Sequence, residues 1–327
     1  YKFLEVRILK KILVTMRVPK DTLEMLSKNF ELDYNDSLEF LSKDILKEKI
    51  KTADAALIPL SEKWDKEIID CAKNLKIIAN FGAGYDNIDI VAAREKGIIV
   101  TNAPAKGSTN ATAEIAMGLI VDIMRGITRG EEALRKGEFK GWKPTFGLGP
   151  VLYGKTLGIF GLGRIGKAVA IRAKAFGMNV IYNSRTKLED ALEKELGVKY
   201  VEFDELLKES DVISLNPSYS KELHHLFNED TFKKMKPTAY LVNTSRGPII
   251  DEKALSKALE DKVIKGAAID VYEFEPAVTE SLLKLDNVVL SPHLGNASIE
   301  ARDEMGMMAA KNIIAVLNGE EAPNKVN

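Results

Sequence analysis

The amino-acid sequence predicts an α/β protein with two doubly wound parallel sheets, and three observations support this fold class. From Lys11 onward, short apolar runs alternate with amphipathic stretches, which is typical of strands and helices in alternation. The chain has 327 residues, more than a single hydrophobic core usually serves. Near the middle, a strand-like run is followed by three closely spaced glycines and then by a helical pattern. We therefore expect two domains with a cleft between them.

The first series of elements alternates strand and helix up to residue 103. Strands are predicted at residues 12–14, 55–58 and 76–81, and helices at residues 22–27, 66–72 and 90–96. This alternation indicates a parallel sheet that is covered on both faces. The first ten residues precede the first predicted strand, and we interpret them as an extension.

The second series begins at the glycines and predicts six strands, which suits a complete Rossmann domain. The strands are predicted at residues 156–160, 179–182, 212–215, 239–242, 267–269 and 288–290. Two long helices, at residues 109–125 and 299–318, are expected to cross between the domains, and Gly319 ends the second of them. The predicted domains are residues 1–103 with 297–327, a discontinuous flavodoxin-like domain, and residues 104–296, the Rossmann domain.

Composition and charge exclude several classes of protein. The sequence has 47 basic and 48 acidic residues and a formal net charge of -1. Charges of both signs are intermixed, so there is no electrostatic footprint for nucleic acid or a membrane surface. One cysteine, Cys71, excludes an internal disulfide, and no Cys/His spacing suggests a metal site. No apolar stretch approaches the ~20 residues of a membrane span. We expect a cytoplasmic protein that binds a small molecule and no metal.

The central glycines, Gly161, Gly163 and Gly166, have the spacing G-x-G-x-x-G. Gly161 is expected to allow a sharp turn, Gly163 to let the backbone approach a pyrophosphate, and Gly166 to let helix pack on strand. Arg164 and Ile165 lie at the start of the helix, whose N–H groups are available to phosphates. The pattern predicts a dinucleotide site, and the alternative is a glycine turn without a ligand.

The end of the next strand indicates which dinucleotide. An acid is usual about 20 residues after the glycines, where it binds the ribose hydroxyls of NAD, but Asn183 occupies that position. Two hydroxyls and two cations follow it, at Ser184, Arg185, Thr186 and Lys187. Such donors suit a 2′-phosphate, so NADP(H) is favoured and NAD(H) stays compatible. The alternative is that the two cations only solvate a loop.

Three successive strands of the second series deliver chemically active side chains to one sheet edge. Arg246 follows the strand at 239–242, Asp270 and Glu275 follow the next strand, and His293 follows the last. A cation, a proton donor and a carboxylate that keeps the donor charged are the groups that reduction of a 2-oxo acid by a nicotinamide requires. The alternatives are structural: a strand-end partner for Arg246, a surface acid for Glu275 and a loop cap for Asp270.

The other two histidines, His224 and His225, are adjacent in a polar segment between strands. No acid is spaced along the sequence to orient them. We therefore predict a surface role for both.

Together these motifs resemble the D-isomer-specific 2-hydroxyacid dehydrogenases, and the resemblance covers nearly the whole chain after the first ten residues. It rests on six sequence stretches. These are residues 80–89 (NFGAGYDNID), 100–104 (VTNAP), 161–166 (GLGRIG), 243–247 (NTSRG), 270–276 (DVYEFEP) and 291–293 (SPH).

The resemblance implies roles for the matching residues. Arg246 binds and polarises the 2-oxo acid, His293 is the acid/base, and Glu275 pairs with His293. The discontinuous domain binds substrate, and the enzyme is a homodimer. The predicted cofactor site contains the glycine motif at residues 161–166, residues 184–187 and His293. The resemblance adds Thr112 beside the nicotinamide and Asp270 at its carboxamide, and Pro217 and Thr244 also belong to this site. The implied substrate residues besides Arg246 and His293 are Leu60 and the backbone N–H groups of Ala83 and Gly84.

Two departures from the family pattern bear on cofactor and substrate. Residues 216–220 read Asn-Pro-Ser-Tyr-Ser, where the family usually has His-x-Pro-Leu-Thr, and this segment borders the adenosine ribose. Leu60 and Ser61 stand where similar phosphoglycerate enzymes carry arginine. An apolar Leu60 is similar to the glyoxylate and hydroxypyruvate reductases, and Glu275 argues against a formate-oxidising relative, which usually has glutamine there.

The favoured hypothesis is therefore NAD(P)H-dependent reduction of a small 2-oxo acid, glyoxylate or hydroxypyruvate first, to the D-2-hydroxy acid. One alternative is a dehydrogenase for another D-2-hydroxy acid. The other is a nucleotide-sensing binding protein on the same fold, similar to the transcriptional corepressors, which retain the same three catalytic side chains. Trp142 and Phe146 lie in a Gly/Pro-rich loop, where they either wall the site or pack between domains.

Overall fold

The computed structural model describes residues 9–327, so most of the predicted extension at residues 1–10 lies outside the described part. The chain divides into two compact units. The first unit contains the described residues up to Ser108 together with Ser298–Asn327, and the second is Thr109–Ala297. The predicted boundaries, after residues 103 and 296, lie a few residues from these.

The first unit contains a five-stranded parallel sheet with spatial order β2-β1-β3-β4-β5. This is the flavodoxin-like order. The strands are β1 Lys11–Val14, β2 Glu31–Tyr34, β3 Ala55–Pro59, β4 Ile77–Phe81 and β5 Ile99–Thr101. Three of them were predicted. The two edge strands were not, because β2 is only partly buried and β5 has three residues, so neither forms a long apolar run.

Five helices of the described chain pack in the first unit, and the last of them returns from the far end of the sequence. They are α1 Lys20–Ser27, α2 Lys43–Lys49, α3 Lys66–Asp70, α4 Ile90–Glu95 and α12 Ile299–Leu317. Met305, Ala309 and Ile313 of α12 are buried in one core with Val14 and Phe81 of the sheet. Their apolar face holds this helix on the first sheet, as the sequence predicts.

The second unit contains a seven-stranded parallel sheet with spatial order β12-β11-β10-β9-β6-β7-β8. The strands are β6 Thr156–Phe160, β7 Asn179–Asn183, β8 Val198–Tyr200, β9 Val212–Leu215, β10 Tyr240–Asn243, β11 Gly266–Ile269 and β12 Val288–Leu290. Six were predicted within a residue at each end. The seventh, β8, is an edge strand of three residues, too short for its pattern to be recognised.

The order of the second sheet is that of a Rossmann domain, in which the strand order reverses between β6 and β9. Seven helices accompany it in chain order. They are α5 Lys106–Arg125, whose first turn lies in the other unit, α6 Ile127–Arg135, α7 Arg164–Ala175, α8 Asp190–Leu196, α9 Phe203–Glu209, α10 Glu229–Lys234 and α11 Glu252–Glu260. Separate apolar clusters cover the two faces of the sheet. Among the described helices, none has both the length and the apolar composition to cross a membrane.

Candidate active site

The glycine turn between β6 and α7 has the geometry that its three glycines predict. Gly161 has φ +93°, and a Cβ atom there would lie 2.6 Å from the nitrogen of Pro217. At Gly166 a Cβ would lie 2.3 Å from the carbonyl oxygen of Gly161. At Gly163, by contrast, a Cβ would meet nothing within 4 Å. Two glycines are thus required by packing, and the third faces open space at the N terminus of a helix.

The surroundings of this turn fit a dinucleotide. Gly163 is the N-cap of α7 and provides no side chain to cap it, so the first N–H groups of that helix suit a phosphate. Thr244 Oγ1 and Asn216 Oδ1, just after β10 and β9, are buried without a hydrogen-bond partner in the described part of the chain. Buried polar atoms normally have partners, so a polar ligand at these strand ends would satisfy them.

The segment after β7 contains the hydrogen-bond donors that the sequence predicts. These side chains differ in exposure and in whether they already have a partner. Asn183 donates its side-chain N–H to the carbonyl of Val201, at 2.9 Å, and is used structurally. Lys187 forms an exposed ion pair with Asp190, at 3.2 Å. Arg185 is exposed and has no ion-pair partner among residues 9–327. Ser184 is half-buried and Thr186 is exposed beside it. Arg185 is therefore the more available of the two cations.

Arg246 lies on a tight turn after β10 that Asn243 holds. The Asn243 side chain accepts from the N–H of Ser245 at 3.0 Å and donates to the carbonyl of Arg246 at 2.9 Å. The Ser245 hydroxyl donates to the carbonyl of Pro217 at 2.5 Å, which connects this turn to the segment beside the glycines. Arg246 is half-buried, and its Nη1 donates to the carbonyl of Ser245 at 2.9 Å.

His293 lies in a short loop that Asp270 organises. The Asp270 carboxylate is fully buried and accepts from Ser291 Oγ at 2.6 Å, Leu294 N at 2.7 Å and Gly295 N at 2.8 Å. The backbone of His293 has φ +53°, a left-handed conformation that side-chain-bearing residues rarely adopt and that is concentrated at functional sites. Three hydrogen bonds to one carboxylate hold this loop.

Asp270 therefore has a clear structural role, which was the alternative interpretation of the sequence. A carboxylate has about four acceptor positions, and three are used here, so one remains for the predicted contact with the nicotinamide carboxamide. That contact stays a prediction. Thr112 of α5 is buried nearby, since a Cβ at Gly295 would lie 3.4 Å from Thr112 Cγ2 and 3.3 Å from Asp270 Oδ2.

Glu275 and His293 form the pair that the sequence predicts. His293 Nδ1 lies 3.0 Å from Glu275 Oε2, and the two side chains are 31% and 28% exposed. Glu275 Oε1 accepts from the N–H of Tyr272 at 2.9 Å. Partial burial opposes ionisation of Glu275, but the hydrogen bond and charge of His293, with the positive charge of Arg246, hold its pKa below the usual value. The three predicted catalytic side chains thus interact electrostatically.

In the first unit, the segment after β4 presents two backbone donors. The side chain of Asn80 donates to the carbonyl of Gly84, and that of Asn102 donates to the carbonyl of Ala83, both at 2.8 Å. Within residues 9–327 the N–H groups of Ala83 and Gly84 donate to no other group. Leu60 lies against Gly82, where a Cβ would be 2.5 Å from Leu60 Cγ. Two adjacent free N–H groups suit a carboxylate.

His225 is one-third exposed and has acidic neighbours that the sequence did not indicate. His225 Nε2 lies 2.7 Å from Glu273 Oε1, and its Nδ1 lies 4.0 Å from Asp251. No sequence signal indicated this pairing, because Glu273 is far along the chain and only the fold brings it close. His224 is exposed and stacks on His225 with ring centroids 4.0 Å apart.

These two histidines and Glu273 offer ligand atoms within 4.8 Å of one another, yet they do not present a metal site. The lone pair of an imidazole nitrogen lies in the plane of its ring. The two rings are inclined by only 18°, so their lone pairs do not converge on one ion. Glu273 is in addition occupied by His225.

Sequence reasoning also missed supporting residues. Asn80, Asn102 and Asn243 orient the peptide groups of the site, and buried Glu252 accepts from the loop that carries Glu275. Glu252 follows a helix-capping Asp251 shortly after Arg246, but a glutamate in a first helical turn is too common to identify a role.

Comparison with known proteins agrees with this geometry. The family model described as D-isomer specific 2-hydroxyacid dehydrogenase, NAD binding domain, matches residues 117–295. That range covers most of the second unit, including β6–β12 and all three predicted catalytic residues.

Relatives match the chain over almost its full length. A Staphylococcus aureus protein (strain bovine RF122 / ET3-1) assigned to the 2-hydroxyacid dehydrogenases is 48% identical and covers 98% of this chain and 100% of that protein. The structure of a Thermus thermophilus protein has TM-score 0.91 and 38% identity, covering 97% of this chain and 100% of that one. An NADPH-dependent glyoxylate/hydroxypyruvate reductase from Sinorhizobium meliloti, solved with NADP and malonate, has TM-score 0.84 and 33% identity, covering 97% and 96%.

Proposed function

The chain belongs to the D-isomer-specific 2-hydroxyacid dehydrogenases, and from this premise we propose that it reduces a small 2-oxo acid with NADPH. Glyoxylate and hydroxypyruvate are the favoured substrates, and the products are glycolate and D-glycerate. The observation that carries the proposal is the 3.0 Å contact between His293 Nδ1 and Glu275 Oε2, with the charge of Arg246 beside it.

Glu275, His293 and Arg246 each have a separate role in the proposed reaction. The reduced nicotinamide, when bound, supplies a hydride to the carbonyl carbon. Glu275 occupies His293 Nδ1, so the proton that the carbonyl oxygen takes up comes from Nε2. The negative charge of Glu275 favours the protonated imidazole before transfer. The Arg246 guanidinium binds the substrate carboxylate and polarises the carbonyl group.

Two features of the first unit support a small substrate. The N–H groups of Ala83 and Gly84 are free to bind a carboxylate, and the nearby Leu60 is apolar and half-buried. An apolar side chain there provides no charge for a second anionic group on the substrate. The Sinorhizobium meliloti relative acts on glyoxylate and hydroxypyruvate, which agrees with this choice.

The preference for NADPH is supported by Arg185. This side chain is exposed without an ion-pair partner in the described chain, directly after the strand end where an NAD-binding protein would carry an acid. A charge-assisted hydrogen bond contributes about 1.5–3 kcal/mol, equivalent to roughly a ten- to a hundredfold preference. Arg185→Ala should therefore weaken NADPH binding by that factor and leave NADH binding nearly unchanged. Fluorescence titration with each nucleotide measures both values.

We also propose that the enzyme is a homodimer. After α5, the chain from Ile127 to Tyr153 exposes many large apolar side chains, and α6 buries none of its residues. These side chains are Ile127, Leu134, Phe139, Trp142, Phe146, Leu148, Val151 and Tyr153. Such a concentration of exposed apolar side chains in one segment is typical of a subunit interface. Sedimentation equilibrium of the wild type and of Trp142→Glu tests this, and a wild-type monomer would contradict it.

A substrate panel tests the reaction. Loss of absorbance at 340 nm is followed with NADPH and, in turn, glyoxylate, hydroxypyruvate, pyruvate and phenylpyruvate, and the panel is repeated with NADH. We expect the highest kcat/KM with glyoxylate or hydroxypyruvate and NADPH. Faster reduction of a larger acid would instead assign another D-2-hydroxy acid. Tight nucleotide binding without turnover of any acid would favour a nucleotide-sensing binding protein.

A further inference from the structure

The loop that carries Glu275 is held at both of its ends by one buried carboxylate. Glu252, in the first turn of α11, is 2% exposed. Its Oε1 accepts from the N–H of Glu273 at 2.5 Å. Its Oε2 accepts from the hydroxyl of Thr279 at 2.5 Å and from the N–H of Thr279 at 3.3 Å. Glu275 lies between these two anchor points.

The contact between Glu252 and Glu273 is reciprocal. The N–H of Glu273 donates to the carboxylate of Glu252, and the N–H of Glu252 approaches Glu273 Oε2 at 3.5 Å. Glu273 Oε1 pairs with His225 Nε2 at 2.7 Å. The backbone N–H of His225 in turn donates to the carbonyl of Pro248 at 2.9 Å, two residues after Arg246. The arrangement thus connects the Glu275 loop to the arginine turn.

Backbone packing brings the same two segments together directly. A Cβ atom at Gly247 would lie 1.9 Å from the carbonyl carbon of Tyr272 and 2.3 Å from the nitrogen of Glu273. No side chain fits there without moving backbone. The residue next to Arg246 therefore touches the peptide group that Glu252 binds, and the Tyr272 N–H beside it is the donor to Glu275 Oε1.

We propose that Glu252 is a positioning residue: by fixing Glu273 and Thr279 it keeps the Glu275 carboxylate at hydrogen-bond distance from His293. The proposal rests on the proposed function for its catalytic meaning, but the positioning itself is a property of the protein without substrate. Glu252 touches none of the three catalytic side chains in the described structure. Its effect passes through the backbone of residues 273–279.

The contact between Glu275 and His293 needs support because both side chains are partly exposed. The side chains of Glu275 and His293 are each about one-third exposed, so water competes for their hydrogen bond. A loop free to move by an ångström would replace that contact with hydration. A buried carboxylate with three donors is, by contrast, rigid, because leaving any donor unpaired in the interior costs about 1–3 kcal/mol. The hydrogen bonds of buried Glu252 thus restrict the movement of the partly exposed loop that carries Glu275.

A test of this proposal must distinguish the effect of Glu275 on His293 from the effects of the other charged groups nearby. Glu275 faces its Nδ1, Arg246 acts on Glu275 through its charge, and Asp270 binds the neighbouring Leu294 and Gly295 N–H groups. None of these is altered by changing Glu252 or Thr279. A change in the His293 ring signals of such variants therefore reports the position of Glu275.

The experiment compares the three histidine ring signals by NMR at one fixed pH, in the full-length protein without substrate, and Glu275→Gln provides the reference for a lost contact with His293. Single substitutions of His224, His225 and His293 by Gln assign the signals. Two variants change the anchors, Glu252→Gln and Thr279→Val. The control is Glu304→Gln, because Glu304 also accepts from two backbone N–H groups, those of Lys106 and Gly107, but lies in the other unit.

We expect Glu252→Gln to move the His293 ring signals toward the positions that they have in Glu275→Gln, since the hydrogen bond between His293 and Glu275 is lost. Thr279→Val should give a smaller change in the same direction, and Glu304→Gln none. The high-pH limit of 2-oxo acid reduction should move in the same direction as in Glu275→Gln. The Kd for NADPH, from nucleotide fluorescence, should stay at the wild-type value.

Wild-type His293 ring signals in folded Glu252→Gln would overturn the proposal. If circular dichroism shows that this variant does not fold, Thr279→Val decides, and unmoved His293 signals there overturn it as well. Moved signals in the variants, together with no turnover of any 2-oxo acid by the wild type, would support the positioning role and reject the proposed function, so the two failures are distinguishable.

Discussion

The two sheets of this protein use the same topological rule and place different chemistry at their strand ends. In the first, the segments after β3 and β4 carry Leu60, Ala83 and Gly84, which are apolar residues and neutral backbone donors. In the second, the ends of β6, β10, β11 and β12 carry a glycine turn, an arginine, two carboxylates and a histidine. Open parallel sheets bind ligands at these ends, and the three side chains proposed to act in catalysis follow strands of the second sheet.

The two units also treat partly buried glutamates differently. Glu275 has a cationic surrounding in His293 and Arg246, and its pKa is lowered although burial opposes this. Glu62 in the first unit is 5% exposed, and burial raises its pKa to about 7. In the described structure Trp64 Nε1 donates to Glu62 Oε2, and Glu62 Oε1 has no partner. Desolvation acts on both carboxyl groups. Cationic neighbours keep Glu275 ionised at neutral pH, whereas Glu62, which lacks them, is about half protonated there.

The largest expected effect tests whether the chemistry belongs to the second unit. His293→Ala removes the proposed proton donor, so kcat/KM for 2-oxo acid reduction should fall by about a thousandfold or more. The Kd for NADPH should change little, because the glycine turn and the donors after β7 are untouched. Steady-state kinetics and nucleotide titration measure the two quantities. A variant with near-normal turnover would remove His293 from the mechanism.

The next prediction concerns Glu62. Its folded pKa of about 7 lies above the ordinary value of 4.5, so the folded state holds a proton that the unfolded state releases between these pH values. The free energy of unfolding should therefore fall as pH rises from 4.5 to 7. Glu62→Gln should lack this loss and be more stable than wild type at pH 8, by about 2–3 kcal/mol.

Urea denaturation at several pH values measures this difference. Glu31→Gln is the matched control, because Glu31 is an exposed glutamate in the same unit. If Glu62→Gln and wild type lose stability in parallel between pH 5 and pH 8, then Glu62 is ionised in the folded state, and the contrast with Glu275 disappears.

The smallest expected effect concerns the charge of Glu275, which distinguishes this residue from Glu62. Glu275→Gln keeps the size of the side chain but removes the charge that favours protonated His293. The high-pH limb of 2-oxo acid reduction should move about one pH unit lower, so activity at pH 8 falls roughly tenfold. The pH profile of kcat/KM checks this, with Glu280→Gln, at an exposed glutamate of the same region, as the control. An unmoved limb would show that Glu275 acts by shape alone.

Much of the fold was predictable because it depends on local patterns. Nine of the twelve described strands appear as apolar runs in the sequence, and β2, β5 and β8 do not, because edge strands are short or half-exposed. The glycine turn was predictable in detail, since Gly161 and Gly166 are required by packing and Gly163 lies at the N terminus of the helix, all within a few residues. The pairing of Glu275 with His293 followed from the resemblance of the surrounding motifs to a known family.

The sequence by itself determined the fold class and the nucleotide turn and predicted the three proposed catalytic side chains, because periodicity and motif spacing are properties of neighbouring residues. Only the tertiary structure decided which carboxylates support them. Asp270 holds the His293 loop, Glu252 holds the Glu275 loop, and Glu273 pairs with His225. Hydrogen bonds and desolvation depend on distances between segments far apart in the chain, and residue types alone do not contain those distances.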